Sequence, residues 1–125
     1  MTAPEGRRSL VVKATHAADD PERANLACNV ASVAVASGLD VHLFLAVEGV
    51  RLAVPGVAEG IAVPEAPPLV DLLSAVYAAG TVTVCTPCAT RRGIGPGDLR
   101  DGTAMGGSAG FVELATRPGA TALVY

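Results

Sequence analysis

Apolar runs recur along the chain at intervals that alternate strand-like and helix-like patterning. SLVVKAT, Ser9 to Thr15, predicts a first strand. In the following HAADDPERA, Asp19 or Asp20 can cap a helix, Pro21 suits its first turn and Glu22 complements its positive end. That helix is expected to reach about Ser37, with Gly38 as its stop. LDVHLFLAV, Leu39 to Val47, reads as a second strand, and its nearly unbroken apolar character suits a parallel sheet covered on both faces. Residues 48–68 carry four prolines and several glycines and read as a loop with a short helical turn at Val50 to Ala53. Pro67 and Pro68 open a second helix, LVDLLSAVYAAG, in which Leu69, Leu72, Leu73 and Val76 share one face and Gly80 is the stop. Thr81 to Cys85 is the third strand, and Pro87 to about Arg92 a short helix. A brief fourth strand is expected near Thr103 to Met105, then a helix in SAGFVELATRPG with Ser108 as its cap, then a last strand in ATALVY.

This alternation implies right-handed crossovers and a mostly parallel sheet. Residues 1–8 read as a flexible leader and 9–125 as a single domain, without internal repeats or a dividing linker. Half of the 125 residues are hydrophobic, which excludes a disordered polypeptide, but only 3% are aromatic. Small aliphatic side chains must then fill the core, a composition suited to strands and helices that approach closely. The first helix is apolar nearly all round, with Leu26, Val30 and Val33 lying off the face of Ala24, Ala27 and Ala31. A second subunit is a natural cover for such a helix.

The net charge of −3 offers no footprint for nucleic acid or anionic lipid, and the scattered Phe44, Tyr77, Phe111 and Tyr125 form no base-stacking platform. No stretch reads as a signal-peptide core or a membrane span. Three cysteines, an odd number, argue against a structural disulfide framework, and the reading is of a cytoplasmic protein. No dinucleotide or P-loop fingerprint follows the first strand, and no cofactor is implied. MGGSAG, at 105–110, is glycine-rich before a helix; it could hold a small anion, but a tight turn accounts for it.

Open parallel sheets gather function at the carboxyl ends of their strands. Here those ends bring Thr15-His16, Glu48-Gly49, Cys85 and Gly106-Gly107 to one edge. Cys85 ends a strand, so amide groups of the helix that follows it can favour its thiolate, with Arg91 and Arg92 adding positive charge. Cys88 lies one turn further on, as a resolving thiol or a second carrier. His16 and Glu48 are supporting candidates by position alone. Cys28, among alanines of the first helix, is expected to be core. A single C-x-x-C without a second ligand pair does not make a zinc site. Packing alone also accounts for a strand-end cysteine, and solvated surface charge for the two arginines.

Taken together, the opening strand with THAADDPERA, the strand LDVHLFLAVEGVRLA, the helix LVDLLSAVYAAG and above all VCTPCATRRGI followed by GFVELA resemble the DsrE/DsrF-like proteins, the sulfur-relay and "predicted peroxiredoxin" group. The resemblance covers Ser9 to Tyr125. It implies a three-layer α/β sandwich with a five-stranded, mainly parallel sheet of flavodoxin-like topology, assembled as dimers, trimers or hexamers. Sulfur-relay members of the group carry a persulfide on a cysteine several residues before an R-R-G motif. Five residues separate Cys85 from Arg91-Arg92-Gly93, which makes Cys85 the matching position and Cys88 an addition to the pattern. Three functions follow as expectations. The first is a persulfide carrier working between donor and acceptor proteins. The second is a dithiol redox or peroxide-reducing enzyme cycling Cys85 and Cys88. The third is a ligand-binding or structural oligomer with inert cysteines.

Overall fold

A computed structural model describes residues 7–125. Most of the leader expected over residues 1–8 lies outside the described residues, but Arg8 already accepts a hydrogen bond from the Asp40 amide at the edge of the sheet. Five strands form one sheet: β1 (Ser9–Ala14), β2 (Asp40–Leu45), β3 (Thr81–Cys85), β4 (Thr103–Gly106) and β5 (Ala120–Val124). All neighbouring pairs run parallel, and the order is β4-β3-β2-β1-β5. Four helices connect them: α1 (Pro21–Ala36), α2 (Leu69–Ala79), α3 (Thr86–Arg91) and α4 (Ser108–Ala115).

The flavodoxin-like strand order, 2-1-3-4-5, is not adopted. The chain instead steps in one direction from β1 to β4 and then returns past β1 to place β5 on the opposite edge. Right-handed crossovers that advance one way leave their helices on one face, and the single step back leaves its helix on the other. So α1 and α2 cover one face together, while α4 crosses the other alone against β1, β4 and β5.

The two faces differ accordingly. Toward α1 and α2 the strands present Leu10, Val12, Val41, Leu43, Leu45 and Val84, all buried. Ala24, Ala27, Cys28 and Ala31 of α1 meet them with small side chains, so the helix lies close to the sheet and close to α2, which contributes Leu69, Leu73 and Val76. The opposite face carries Val11, Lys13, His42, Phe44, Thr83 and Cys85 by strand alternation. No residue of α4 is fully buried. Lys13 Nζ sits 3.8 Å from the centre of the Phe111 ring, which meets Phe44 edge-on.

Three details depart from the sequence pattern. The second strand ends at Leu45, and Val47 begins a 3-10 turn, Val47–Ala53, instead of closing the strand. The turn expected at Val50 to Ala53 thus begins three residues earlier, and it buries Gly49, Val50, Leu52 and Ala53 in the core. Ser108 is the first residue of α4 and provides no cap; the residue before it, Gly107, is extended and has no side chain to offer. Of the two candidate caps it is Asp20 that caps α1, accepting from the Arg23 amide, and Gly38, as expected, follows its end in the left-handed region at φ 84°.

Gly49 shows how tightly the 3-10 turn seats on the carboxyl end of β1. A Cβ at this position would stand 2.1 Å from the Ala14 carbonyl oxygen, a backbone atom that cannot swing aside. Gly49→Ala must push the turn off β1 and is expected to cost about 1–3 kcal/mol in urea unfolding; an unchanged midpoint would show that the contact is not held in solution. Leu43→Ala, in the centre of the sheet at full burial, should cost about 2–5 kcal/mol by the same measurement.

Candidate functional site

The site forms where β3 passes into α3. Cys85 is the last residue of the strand and stands at the N-cap of the helix, with extended backbone and no side-chain cap bond. Pro87 lies in the first turn, where its missing amide hydrogen costs nothing. Cys88 completes that turn, so the two sulfurs lie on the same side of a short helix. Cys85 is half-exposed and Cys88 is 8% exposed.

The two thiols are linked in their titration. Burial raises Cys85, and its hydrogen bond to Cys88 raises it further. Burial also opposes ionisation of Cys88, but the Cys85 thiol, the Val47 amide and the charges of Arg91 and Arg92 together carry it below the usual cysteine value. The pair therefore loses its first proton with the charge resting on Cys88 and Cys85 donating to it. Arg91 Nη1 approaches the Cys88 sulfur at 4.0 Å. This reverses the order in which the sequence suggests the thiols would ionise. Position relative to the sheet suggested Cys85, but the positive groups converge one turn later.

Arg92 is 18% exposed, not a freely solvated surface charge. Its Nε donates to Glu48 Oε2 at 2.5 Å and its Nη1 to the Cys88 carbonyl at 3.1 Å. Glu48 Oε1 accepts from Arg51 Nε at 2.8 Å. Bonds from Arg92 first and Arg51 second hold the Glu48 carboxyl below the usual value for glutamic acid. Val47, whose amide serves Cys88, has φ 54°, the left-handed region that a β-branched residue seldom enters.

The structure thus brings together Cys85, Cys88, Arg91, Arg92 and Glu48. It does not bring in His16, whose Nδ1 pairs with Asp19 Oδ2 at 2.8 Å and which has no hydrogen bond to either site cysteine. Cys28 lies in the core and burial pushes its thiol up to about 12. The participant missed by sequence reasoning is Val47. Its residue type reads as strand, and no local signal marks a left-handed turn there. No group of three or more His, Cys, Asp or Glu side chains among the described residues could hold a metal ion. No helix among them is long and apolar enough to cross a membrane.

Two outcomes follow. Under native conditions at neutral pH, iodoacetamide should leave Cys28 unmodified while the protein stays folded, and peptide mapping should find it labelled only after denaturation; native labelling would show that the core opens locally. The Glu48 bridge also has a pH sign. Because its folded-state pKa lies below the ordinary value of 4.5, its stabilisation is present above that value and is lost as pH falls through the lower folded one. For a carboxylate 31% exposed the effect is at most about 1 kcal/mol. Acid unfolding of Glu48→Gln should lack this part of the pH dependence.

The sequence matches the DsrE/DsrF-like family over residues 8–124. No curated protein sequence matches it. Among solved structures, the ychN protein from E. coli superposes with a TM-score of 0.77 at 22% identity, covering 94% of this chain and 99% of that one. MTH1491 from Methanobacterium thermoautotrophicum, a protein of unknown function, superposes with a TM-score of 0.70 at 13% identity, covering 95% and 99%. Identities this low establish the shared fold and nothing finer. The family match spans nearly all the described residues, the cysteine pair included, and the chain belongs to the DsrE/DsrF-like family.

Proposed function

We propose that this protein transfers sulfane sulfur, with Cys85 as the persulfide carrier and Cys88 as the group that activates it. The observation that carries the reading is the shared proton of the pair, with a cation-stabilised sulfur inside and a half-exposed one outside. A nucleophile beside its own base is the common arrangement for covalent catalysis. The Cys88 thiolate takes the Cys85 proton. The Cys85 thiolate then attacks the terminal sulfur of a donor persulfide. A bond forms from Cys85 to that sulfur, the donor's sulfur–sulfur bond breaks, and the donor leaves as a thiolate. An acceptor thiolate later attacks the same sulfur and Cys85 is released. The transfer requires no external oxidant or reductant. Arg91 and Arg92 stabilise the negative charge while it is held by the pair.

A second reading is favoured by the same juxtaposition. One sulfur could attack a peroxide, yielding a sulfenic acid with release of water or alcohol, and the other would condense with it to a disulfide and water. An external dithiol would then restore the pair. In either case, we read the protein as one of a reducing compartment.

We also propose a homo-oligomer, a dimer, trimer or hexamer. Two regions support it. Val112 and Val124 are 54% and 63% exposed on or beside the thin α4 layer, and Leu26 and Val33 are exposed on the outer side of α1.

The test is intact mass after exposure to a sulfane-sulfur donor. The wild-type protein should gain one sulfur that a reductant removes, Cys85→Ser should gain none, and Cys88→Ser should gain it roughly a hundredfold more slowly at neutral pH. A loss of two hydrogens that requires both cysteines would favour the dithiol reading instead. No change in any variant would sink both readings and leave a protein with inert cysteines.

A further inference from the structure

Glu48 and Arg92 are 44 positions apart in sequence, yet Arg92, the residue that caps the end of α3, is bound to Glu48. The Arg92 guanidinium makes two contacts at once: Nε with the Glu48 carboxylate at 2.5 Å and Nη1 with the carbonyl of Cys88 itself at 3.1 Å. Arg51, from within the Val47–Ala53 turn, occupies the other carboxylate oxygen at 2.8 Å. One planar group therefore joins the turn that carries Val47 to the residue that carries the inner sulfur. Lysine could not make both contacts in this geometry. The adjoining Val47 is half-exposed and stands at φ 54°, with no burial of its own side chain to hold it there. A β-branched residue in that region costs on the order of 1–3 kcal/mol and persists only where its surroundings impose it. Gly49, wedged against the Ala14 carbonyl, fixes the turn on one side, and the Glu48–Arg92 bridge fixes it on the other.

We propose that Glu48 is a positioning residue of this site: through Arg92 it holds the Val47 turn against α3, so that the Val47 amide faces the Cys88 sulfur. This rests on the reading of Cys85 and Cys88 as an activated pair and identifies what keeps the pair activated. A plain electrostatic view makes the opposite prediction. Glu48 is an anion near a thiolate and pairs with cations that would otherwise favour that thiolate. If it acted only by charge, removing it would make Cys88 more acidic. If it acts by position, removing it lets the turn relax, withdraws the amide and makes Cys88 less acidic. The groups directed at Cys88 are the Cys85 thiol, the Val47 amide and the Arg91 and Arg92 guanidinium groups; the amide belongs to the turn, and Arg92 is bonded to it through Glu48.

The experiment is a pH titration of thiolate ultraviolet absorbance in the Cys85→Ser protein. Cys28, pushed up to about 12, is silent in the relevant range, and burial raises Tyr77 out of it. Three further substitutions are added singly to that background: Glu48→Ala, Glu48→Gln and Arg92→Lys. The expected result is that Glu48→Ala raises the Cys88 midpoint by about one pH unit, and Glu48→Gln, which keeps one acceptor oxygen, raises it by less. Arg92→Lys preserves the charge but not the two-armed bridge, so it should raise the midpoint as well. It also carries the test should Glu48→Ala fail to fold. A midpoint that falls in both Glu48 variants or does not move in Arg92→Lys overturns the positioning role, while leaving the activated pair standing. A first thiolate midpoint at or above about 8.5, the ordinary cysteine value, in the wild-type protein with both cysteines present overturns both.

Discussion

Every strand of this sheet runs in the same direction, so each connection has to travel back across a face before the next strand can begin. That constraint organises the molecule. Three crossovers advance from β1 to β4 and one reverses, which places α1 and α2 over one face and α4 alone over the other. It also places every strand's carboxyl end on one edge. The loop after β2, the start of α3 after β3 and the glycines after β4 meet there because the chain has no other place to turn.

The site exists because two of those turns touch. The segment after β2 folds back as a 3-10 turn and buries its apolar residues against the core, bringing Val47 and Glu48 over α3. The energetic arrangement is layered. Burial of Val50, Leu52 and Ala53 keeps the turn in place, and the absence of a side chain at Gly49 lets it reach the end of β1. The Glu48–Arg92 bridge contributes little stability, being partly exposed, but it joins the turn to the end of α3. A weak interaction can govern chemistry when it decides whether a dipole points at a sulfur or away from it.

The cysteines illustrate how environment separates identical side chains. Cys28 lies among alanines with nothing to stabilise its anion, and it is a small hydrophobe. Cys88 is almost as buried, but an amide, a neighbouring thiol and two guanidinium groups offset the loss of water. Cys85 keeps its proton and its exposure. Burial alone would have ranked Cys28 and Cys88 together; the difference lies in which polar groups the fold sends to each sulfur.

Much of this was legible in the chain itself. Alternating apolar runs and helix caps are local signals, so the five strands, the long helices, the Asp20 cap and the Gly38 stop follow from neighbouring residues. The position of Cys85 at a strand's carboxyl end, and the core placement of Cys28, follow from the same pattern. Strand order, the one-helix layer over the second face, and the left-handed Val47 did not, because each depends on which distant segment packs where. Val47 carries a strand-forming side chain and adopts a turn only because the core claims the residues after it. The sequence alone determined that a cysteine pair and two arginines would stand at the carboxyl edge of a parallel sheet. Only the tertiary structure decided which sulfur holds the charge, because to the neighbouring Cys85, Arg91 and Arg92 it adds the Val47 amide, which comes from a distant turn and reaches Cys88 through space, not along the chain.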